Sequence, residues 1–324
     1  MSPIRRALLG LAALALVAGA RTAAAEDYPS RPVKIIVSFA PGGIADTTGR
    51  LIAQGLGTAF DKPVIVENRP GAGAIVGIAL VAKAPPDGYT LLLANTNVST
   101  NPALYAQLPY DADRELIPVA NAVITPAVLV VHPALPVATI DDFLALARAK
   151  PGQIDYASVG VGSFPHLAME MLDQMAGLKL VHVPYKGFAP AVTAVMGGEV
   201  QVLASDVPTA LPNIQAGKLR ALAATGTKRF PVLPDIPTLA EKDVPGYEAV
   251  GWLGIMAPAG TPRAIVTRLN AEINRILARP DIVARYAKDG GELVPGTPED
   301  FAAFLRRNRE RWVKVITAGH IRAE

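Results

Sequence analysis

Two short segments carry residue types that could hold an anion. Phe39-Ala40-Pro41-Gly42-Gly43-Ile44-Ala45-Asp46 lies between a β-branched run and a helical pattern, and Ser158-Val159-Gly160-Val161-Gly162-Ser163-Phe164-Pro165-His166 repeats the arrangement further on. Glycines let a backbone approach a ligand closely, and a helix start offers unpaired N–H groups with a partial positive charge, which suits a carboxylate. Taken alone, each segment reads equally as a tight strand-to-helix turn, with Asp46 complementing the helix dipole and His166 as a capping or core residue. Together they could clamp an anion from two sides. Asn95-Thr96-Asn97-Val98-Ser99 adds amides and hydroxyls that either orient a polar ligand or form a plain capping loop. Asp206 follows a predicted strand, where open sheets bind ligands, or else caps the next helix. Lys186 reads as a solvated surface lysine rather than as charge in a cleft.

Other chemistry fits poorly. Gly71-Ala72-Gly73-Ala74-Ile75-Val76-Gly77 is similar to a dinucleotide fingerprint, but its spacing is one residue too long, Asn68-Arg69-Pro70 intervenes, and no acidic strand end follows at the ribose position. Close helix packing explains these glycines better. A nucleophile set of Ser163, His166 and Asp206 would need the imidazole turned back on a hydroxyl at the same helix start, with no strained elbow around the serine. His132, His166, His182 and His320 do not pair at metal-ligand spacing. Cysteine is absent, which removes thiolate chemistry and suits an oxidising compartment. Neither cofactor nor metal is expected, and the protein is read as a binding protein rather than an enzyme.

The elements that must position these residues follow from periodicity. Val33–Val37, Val64–Glu67 and Tyr89–Ala94 read as strands, separated by helices over Asp46–Phe60 and Ala74–Lys83, which is repeated βα winding. Asn121–His132 is a β-rich stretch broken by Pro126, as a crossover between two lobes would be, and the hinge is placed near Thr125. Winding then resumes through helices Ile140–Ala149, His166–Ala176 and Pro190–Met196 and strands Ile154–Ser158, Leu180–Val183, Val200–Ala204 and Leu219–Ala224. A return strand is expected at Gly251–Met256. Thr261-Pro262 and Thr297-Pro298 each pair an N-cap with proline at the first helical position, and the last helix gathers Phe301, Phe304, Leu305 and Trp312 on one side.

A length of 324 residues suits two lobes, and a hydrophobic share of 51% with only 6% aromatic residues suits helices and buried strands. Arg5, Arg6 and Arg21 supply the whole formal excess of +3, so the rest of the chain is balanced and a nucleic-acid partner is not expected. Paired Arg5-Arg6, the apolar Ala7–Ala20 and the small residues Ala23-Ala24-Ala25 read as an export signal cleaved after Ala25. The arginine pair matches the twin-arginine pattern only loosely. The expected organisation is residues 1–25 signal, 26–124 first lobe, 125–245 second lobe, and 246–324 returning to the first.

A series of motifs along the mature chain carries a family resemblance. Tyr28-Pro29-Ser30-Arg31-Pro32, Pro41-Gly42-Gly43 with Asp46, Val66-Glu67-Asn68-Arg69-Pro70-Gly71-Ala72-Gly73, Pro86-Asp87-Gly88-Tyr89 and Asn101-Pro102-Ala103-Leu104-Tyr105 resemble the Bug family of periplasmic solute-binding proteins. Gly160, Gly162, Ser163 and His166-Leu167 continue the series. So do Val183-Pro184-Tyr185-Lys186-Gly187, Gly217-Lys218-Leu219-Arg220 and Ala257-Pro258-Ala259-Gly260-Thr261-Pro262, so that Tyr28 to about Ile316 is covered.

The resemblance implies an α/β, two-lobe periplasmic binding protein fold of class II, the Venus-flytrap type, with a mixed sheet flanked by helices in each lobe. It implies capture of a small carboxylate and delivery to the large and small membrane subunits of a tripartite tricarboxylate transporter, by a periplasmic monomer. A sensory role beside a membrane signalling partner is the alternative, with an enzyme on the same fold behind it. Ligand contacts carry over to Phe39, Gly43, Asp46, Gly162 and Ser163, through backbone donors and ordered water. The candidate site adds Gly42, Ile44, Asn95 and Thr96 in the first lobe and His166 and Asp206 in the second. Asp46 would repel a ligand carboxylate, so it either caps the helix and orients the glycine turn or accepts from an ordered water or a ligand donor; the second is preferred.

Overall fold

The computed structural model describes residues 28–323, so the expected signal and its cleavage point lie outside the described residues. Among the described residues eleven strands fall into two sheets. The first holds β1 (Val33–Val37), β2 (Val64–Asn68), β3 (Thr90–Asn95), β4 (Leu116–Pro126), β10 (Val250–Pro258) and β11 (Glu292–Leu293), in the order β11-β4-β10-β3-β1-β2. The second holds β5 (Val128–Val131), β6 (Asp155–Ser158), β7 (Val181–Pro184), β8 (Val202–Ser205) and β9 (Arg220–Ala224), in the order β7-β6-β8-β5-β9. The two are built alike. In each, three parallel strands run beside antiparallel returns, β10 against β3 in the first and β5 against β8 in the second.

Continuous apolar runs form these strands because both faces are covered. Ile35 and Val37 join a core with α1 (Ile44–Phe60) and, far along the chain, α9 (Arg263–Leu277) and α10 (Pro280–Lys288), while Ile36 faces α2 (Ile75–Ala82). In β5, Leu129 and Val131 pack towards α5 (Ile140–Ala149) and α6 (Phe164–Ala176), whereas Val128 and Val130 pack towards α7 (Phe188–Met196) and α8 (Val207–Gln215). Two further helices, α3 (Thr96–Leu104) and α4 (Ala112–Glu115), fill the passage from β3 to β4, and α11 (Pro298–Ala318) closes the chain. Among the described residues no helix is long and apolar enough to cross a membrane.

The chain leaves the first sheet between β4 and β5. Ala127 N–H donates to Thr225 Oγ1 at 2.8 Å, Thr225 N–H donates back to Ala127 O at 2.9 Å, and Ala249 N–H donates to Thr225 O at 2.8 Å. The outgoing and returning strands are thus bonded side by side at a buried threonine. A third crossing comes from α11, which starts at a capping box of Thr297 and Asp300 with Pro298 next to the cap. Phe301 packs edge-on against Trp252 of β10, while Trp312, Val315 and Ile316 enter the core of the second sheet. The tail assigned by sequence to the first lobe therefore reaches both, because α11 places apolar residues of its first half in one core and of its second half in the other.

Two local readings need correction. Thr261 is not an N-cap: its hydroxyl donates to Pro258 O at 2.7 Å, and α9 starts one residue later than expected, with Pro262 at the cap. The polar segment after β3 is not a loop but the start of α3, despite poor helix formers and Pro102. Burial overrides propensity there, since Val98, Ser99, Thr100, Asn101 and Leu104 are all buried.

Candidate functional site

Both glycine turns sit at carboxyl ends of parallel strands, where open α/β sheets leave room for ligands. The first runs from β1 into α1. Phe39 to Gly43 are exposed and Ile44 is half-buried, and Gly42 has φ +98°, which favours glycine. Gly43 is the N-cap of α1 and supplies no side-chain bond, so the turn is fixed from elsewhere. That anchor is Asp46. Its Oδ2 accepts from Gly42 N–H at 3.1 Å and Arg50 Nε at 3.0 Å, while Oδ1 accepts from Asn68 Nδ2 and Arg50 Nη2, both at 2.9 Å. Asn68 Nδ2 also donates to Phe39 O at 3.0 Å, tying the turn's other end. The Arg50 hydrogen bond, with Asn68 and Gly42 assisting, outweighs burial and holds the Asp46 carboxyl down to about 2. Four donors fill the acceptor capacity of one carboxylate. The geometry is that of turn orientation, the first of the two roles considered for Asp46.

At the end of neighbouring β3, Asn95 caps α3, its Oδ1 accepting from Asn97 N–H at 2.8 Å. Its Nδ2 is buried with no protein partner, as are Ser38 Oγ after β1, Thr100 Oγ1 on α3 and Asn121 Oδ1 on β4. Ser38 and Asn95 thus place two unsatisfied polar atoms on adjacent strand ends, where a polar ligand atom or water would satisfy them. Ser38 escaped sequence reading because a serine at a strand end is unremarkable until its burial is known. Thr96 is buried beside Asn95.

The second turn runs from β6 into α6, and its glycines again adopt positive φ, +125° at Gly160 and +72° at Gly162. Ser163 Oγ donates to Gly160 O at 2.6 Å, and Gly162 N–H donates to His166 Nδ1 at 2.9 Å. The next residue, Phe164, packs edge-on against Trp312, with ring centroids 6.3 Å apart. This turn is brought up to the first lobe, since a Cβ on Gly162 would overlap Leu104 at the end of α3. Asp206 lies half-buried at the end of β8 in the N-cap position of α8, but accepts from the Thr209 hydroxyl at 2.9 Å instead of a backbone N–H. Burial pushes its carboxyl up, against the hydroxyl bonds.

No nucleophile relay exists among Ser163, His166 and Asp206, since each is bonded elsewhere. The Gly71–Gly77 segment serves packing: Gly77 lies so close to Ser38 that a Cβ would overlap the hydroxyl. Lys186 is exposed and makes no ion pair among the described residues. Among the described residues no group of His, Asp and Glu could hold a metal ion. A separate groove of about 340 Å³ between α1 and α10 is lined by Arg50, Arg279 and Arg285, but Arg50 is tied to Asp46 and Arg279 to Asp281.

Comparison with known proteins agrees with this architecture. The family described as "Tripartite tricarboxylate transporter family receptor" matches residues 48–321. BugT of Bordetella pertussis is 36% identical over 294 residues, 90% of this chain and 90% of that protein. An R. palustris protein solved with adipate superposes with a TM-score of 0.83 at 34% identity, covering 91% of this chain and 99% of that one. MatC from Rhodopseudomonas palustris with bound malate gives 0.78 at 30% identity, covering 89% and 100%. These family and structural neighbours are solute-binding proteins rather than enzymes.

Proposed function

This chain belongs to the tripartite tricarboxylate transporter receptor family, and on that premise we propose that it is an exported receptor for a small carboxylate, probed most directly with dicarboxylates. The observation that carries the reading is the pair of glycine turns, one per sheet, each leading from a parallel strand into a long helix. An anion reaching both would be neutralised only in a closed cleft, so ligand capture is coupled to movement about the Ala127–Thr225 junction. The first lobe contributes Phe39, Gly42, Gly43 and Ile44 with Asp46 behind them, and Asn95 and Ser38 accept or donate to the ligand's polar remainder. The second contributes Ser163 and the start of α6, with Asp206 at the rim. Adipate and malate, bound by two neighbours, make a dicarboxylate of four to six carbons the first class to test.

Delivery to the large and small membrane subunits of a tripartite transporter completes the proposal, with residues 1–25 removed on export. Calorimetric titration of the chain from Glu26 with mono-, di- and tricarboxylates tests it. One-to-one binding of a carboxylate, lost when that acid is replaced by its amide, is expected. Absence of binding across the panel, or conversion of a bound acid to product, overturns it.

A further inference from the structure

The second turn is fastened by an imidazole that sequence spacing gave no reason to link to its neighbours. His166 is 4% exposed, and its Nδ1 accepts the Gly162 N–H, so Nδ1 is unprotonated and the neutral ring carries its proton on Nε2. That Nε2 lies 3.8 Å from Glu170 Oε1, an oxygen whose hydrogen bond comes from the Tyr156 hydroxyl at 2.5 Å. His182 on β7 stacks its ring on His166, with centroids 3.9 Å apart and 18° between planes. His182 in turn stacks on Tyr156 at 5.1 Å, and its Nε2 pairs with Ser158 Oγ at 2.5 Å. Ser158 Oγ also accepts Gly160 N–H at 3.1 Å. Both glycine N–H groups of the turn are therefore consumed by the protein.

We infer that His166 is a positioning residue of the second-lobe turn: its bare Nδ1 takes the Gly162 N–H out of the ligand's donor set and sets the turn so that the N–H groups at the start of α6 receive the anion. This rests on the carboxylate-receptor reading and changes its donor assignment, since the resemblance makes Gly162 a ligand contact. Pro165 has no N–H, which leaves Phe164 and His166 as the unpaired backbone donors of the first helical turn. The stacked His182 keeps the arrangement in one protonation state, because charge on one ring is disfavoured by burial and by any charge on the other. Burial, with His182 adding to it, pushes His166 down to about 3, and burial pushes His182 down to about 4. The titratable groups against the pair are Glu170 on α6, near His166, and Tyr156 on β6, stacked on both rings, with Asp173 of α6 beyond them and coupled to Glu170; no Lys or Arg forms an ion pair with either carboxylate among the described residues.

Two variants separate positioning from direct contact. In His166→Asn, Oδ1 can stand where Nδ1 stood and accept the same N–H, whereas His166→Gln places its polar atoms one bond further out. Titration with adipate at pH 8.0 and 6.5 should give wild-type affinity that is flat within about twofold, an Asn variant within about threefold of it, and a Gln variant weaker by about tenfold. Tighter wild-type binding at pH 6.5, or equal losses in both variants, would make His166 a charged ligand contact or mere filler and overturn the inference. Nitrogen spectra of the histidines in the ligand-free protein test the geometry without any ligand. Nδ1 of His166 should remain unprotonated from pH 8 to 5, with Gly162 amide exchange faster in His166→Gln than in wild type. Protonation of Nδ1 near pH 6.5, or unchanged exchange, would refute it even where adipate binds. Failure of every carboxylate to bind the wild type would instead refute the receptor reading.

Discussion

Replacing Asp46 by asparagine separates a carboxylate that builds the site from one that touches the ligand. Its side chain is 5% exposed and takes four hydrogen bonds, two of them from Arg50. The fall in its pKa from 3.8 to about 2 corresponds to roughly 2 kcal/mol of preference for the ionised form, and the exposed half of Arg50 trims the ion-pair share of it. Asparagine keeps one acceptor oxygen but turns an N–H donor towards Gly42 N–H and Arg50. The variant should therefore lose about 1 to 2 kcal/mol of stability, a drop of a few degrees in Tm, by thermal melting without ligand. Affinity should fall less than about tenfold, through a loosened turn. The sign of the pH dependence is fixed: a depressed carboxylate stabilises above its unfolded value near 3.8 and loses that contribution as pH falls towards 2, so the gap between wild type and variant should close over that window. An unchanged Tm with affinity lost by tenfold or more would refute the turn-orienting role and restore water or ligand bridging.

Three further outcomes are expected. Trp312→Ala should cost about 3 to 5 kcal/mol in chemical denaturation, because it empties a fully buried site where α11 meets the second sheet; it should also weaken carboxylate binding through Phe164. Acidification from pH 6.5 to 5 should destabilise the protein by about 2 kcal/mol through His166, since a buried neutral imidazole gives up its contribution as pH falls from its unfolded value towards about 3. Asp173, raised to about 6 by burial, works in the opposite direction between pH 6 and 4 but is common to both proteins, so the His166→Asn variant, which removes the imidazole alone, should show the flatter melting profile. Solution scattering should report a smaller radius of gyration with saturating carboxylate, and Thr225→Val, which cuts the bond to Ala127 N–H, should alter that change.

Much of the scaffold was legible because its strands are uninterrupted apolar runs and its helices carry their own boundaries. Val33–Val37 and Ile140–Ala149 were read to the residue, and the structure shows the latter opening on a Thr139 and Asp142 capping box, a local device that needs no tertiary help. The α3 helix was not, since its stability comes from burial of Thr100 and Asn101 rather than from propensity. The two glycine turns could be found from residue type and repetition. What held them could not: Asn68 reaches Asp46 across 22 positions and His182 reaches Ser158 across 24, and pairings of that range exist only once parallel strands have set their register.

The central claim, an anion held between turns from both sheets, is tested most directly by a crystal structure of the chain from Glu26 with a bound dicarboxylate identified by titration. One carboxylate should lie against the backbone of Phe39–Ile44, with second-lobe N–H groups at the start of α6 reaching the same ligand and Gly162 N–H still on His166. A ligand touching one lobe only, or seated among Arg50, Arg279 and Arg285 in the groove between α1 and α10, would contradict it.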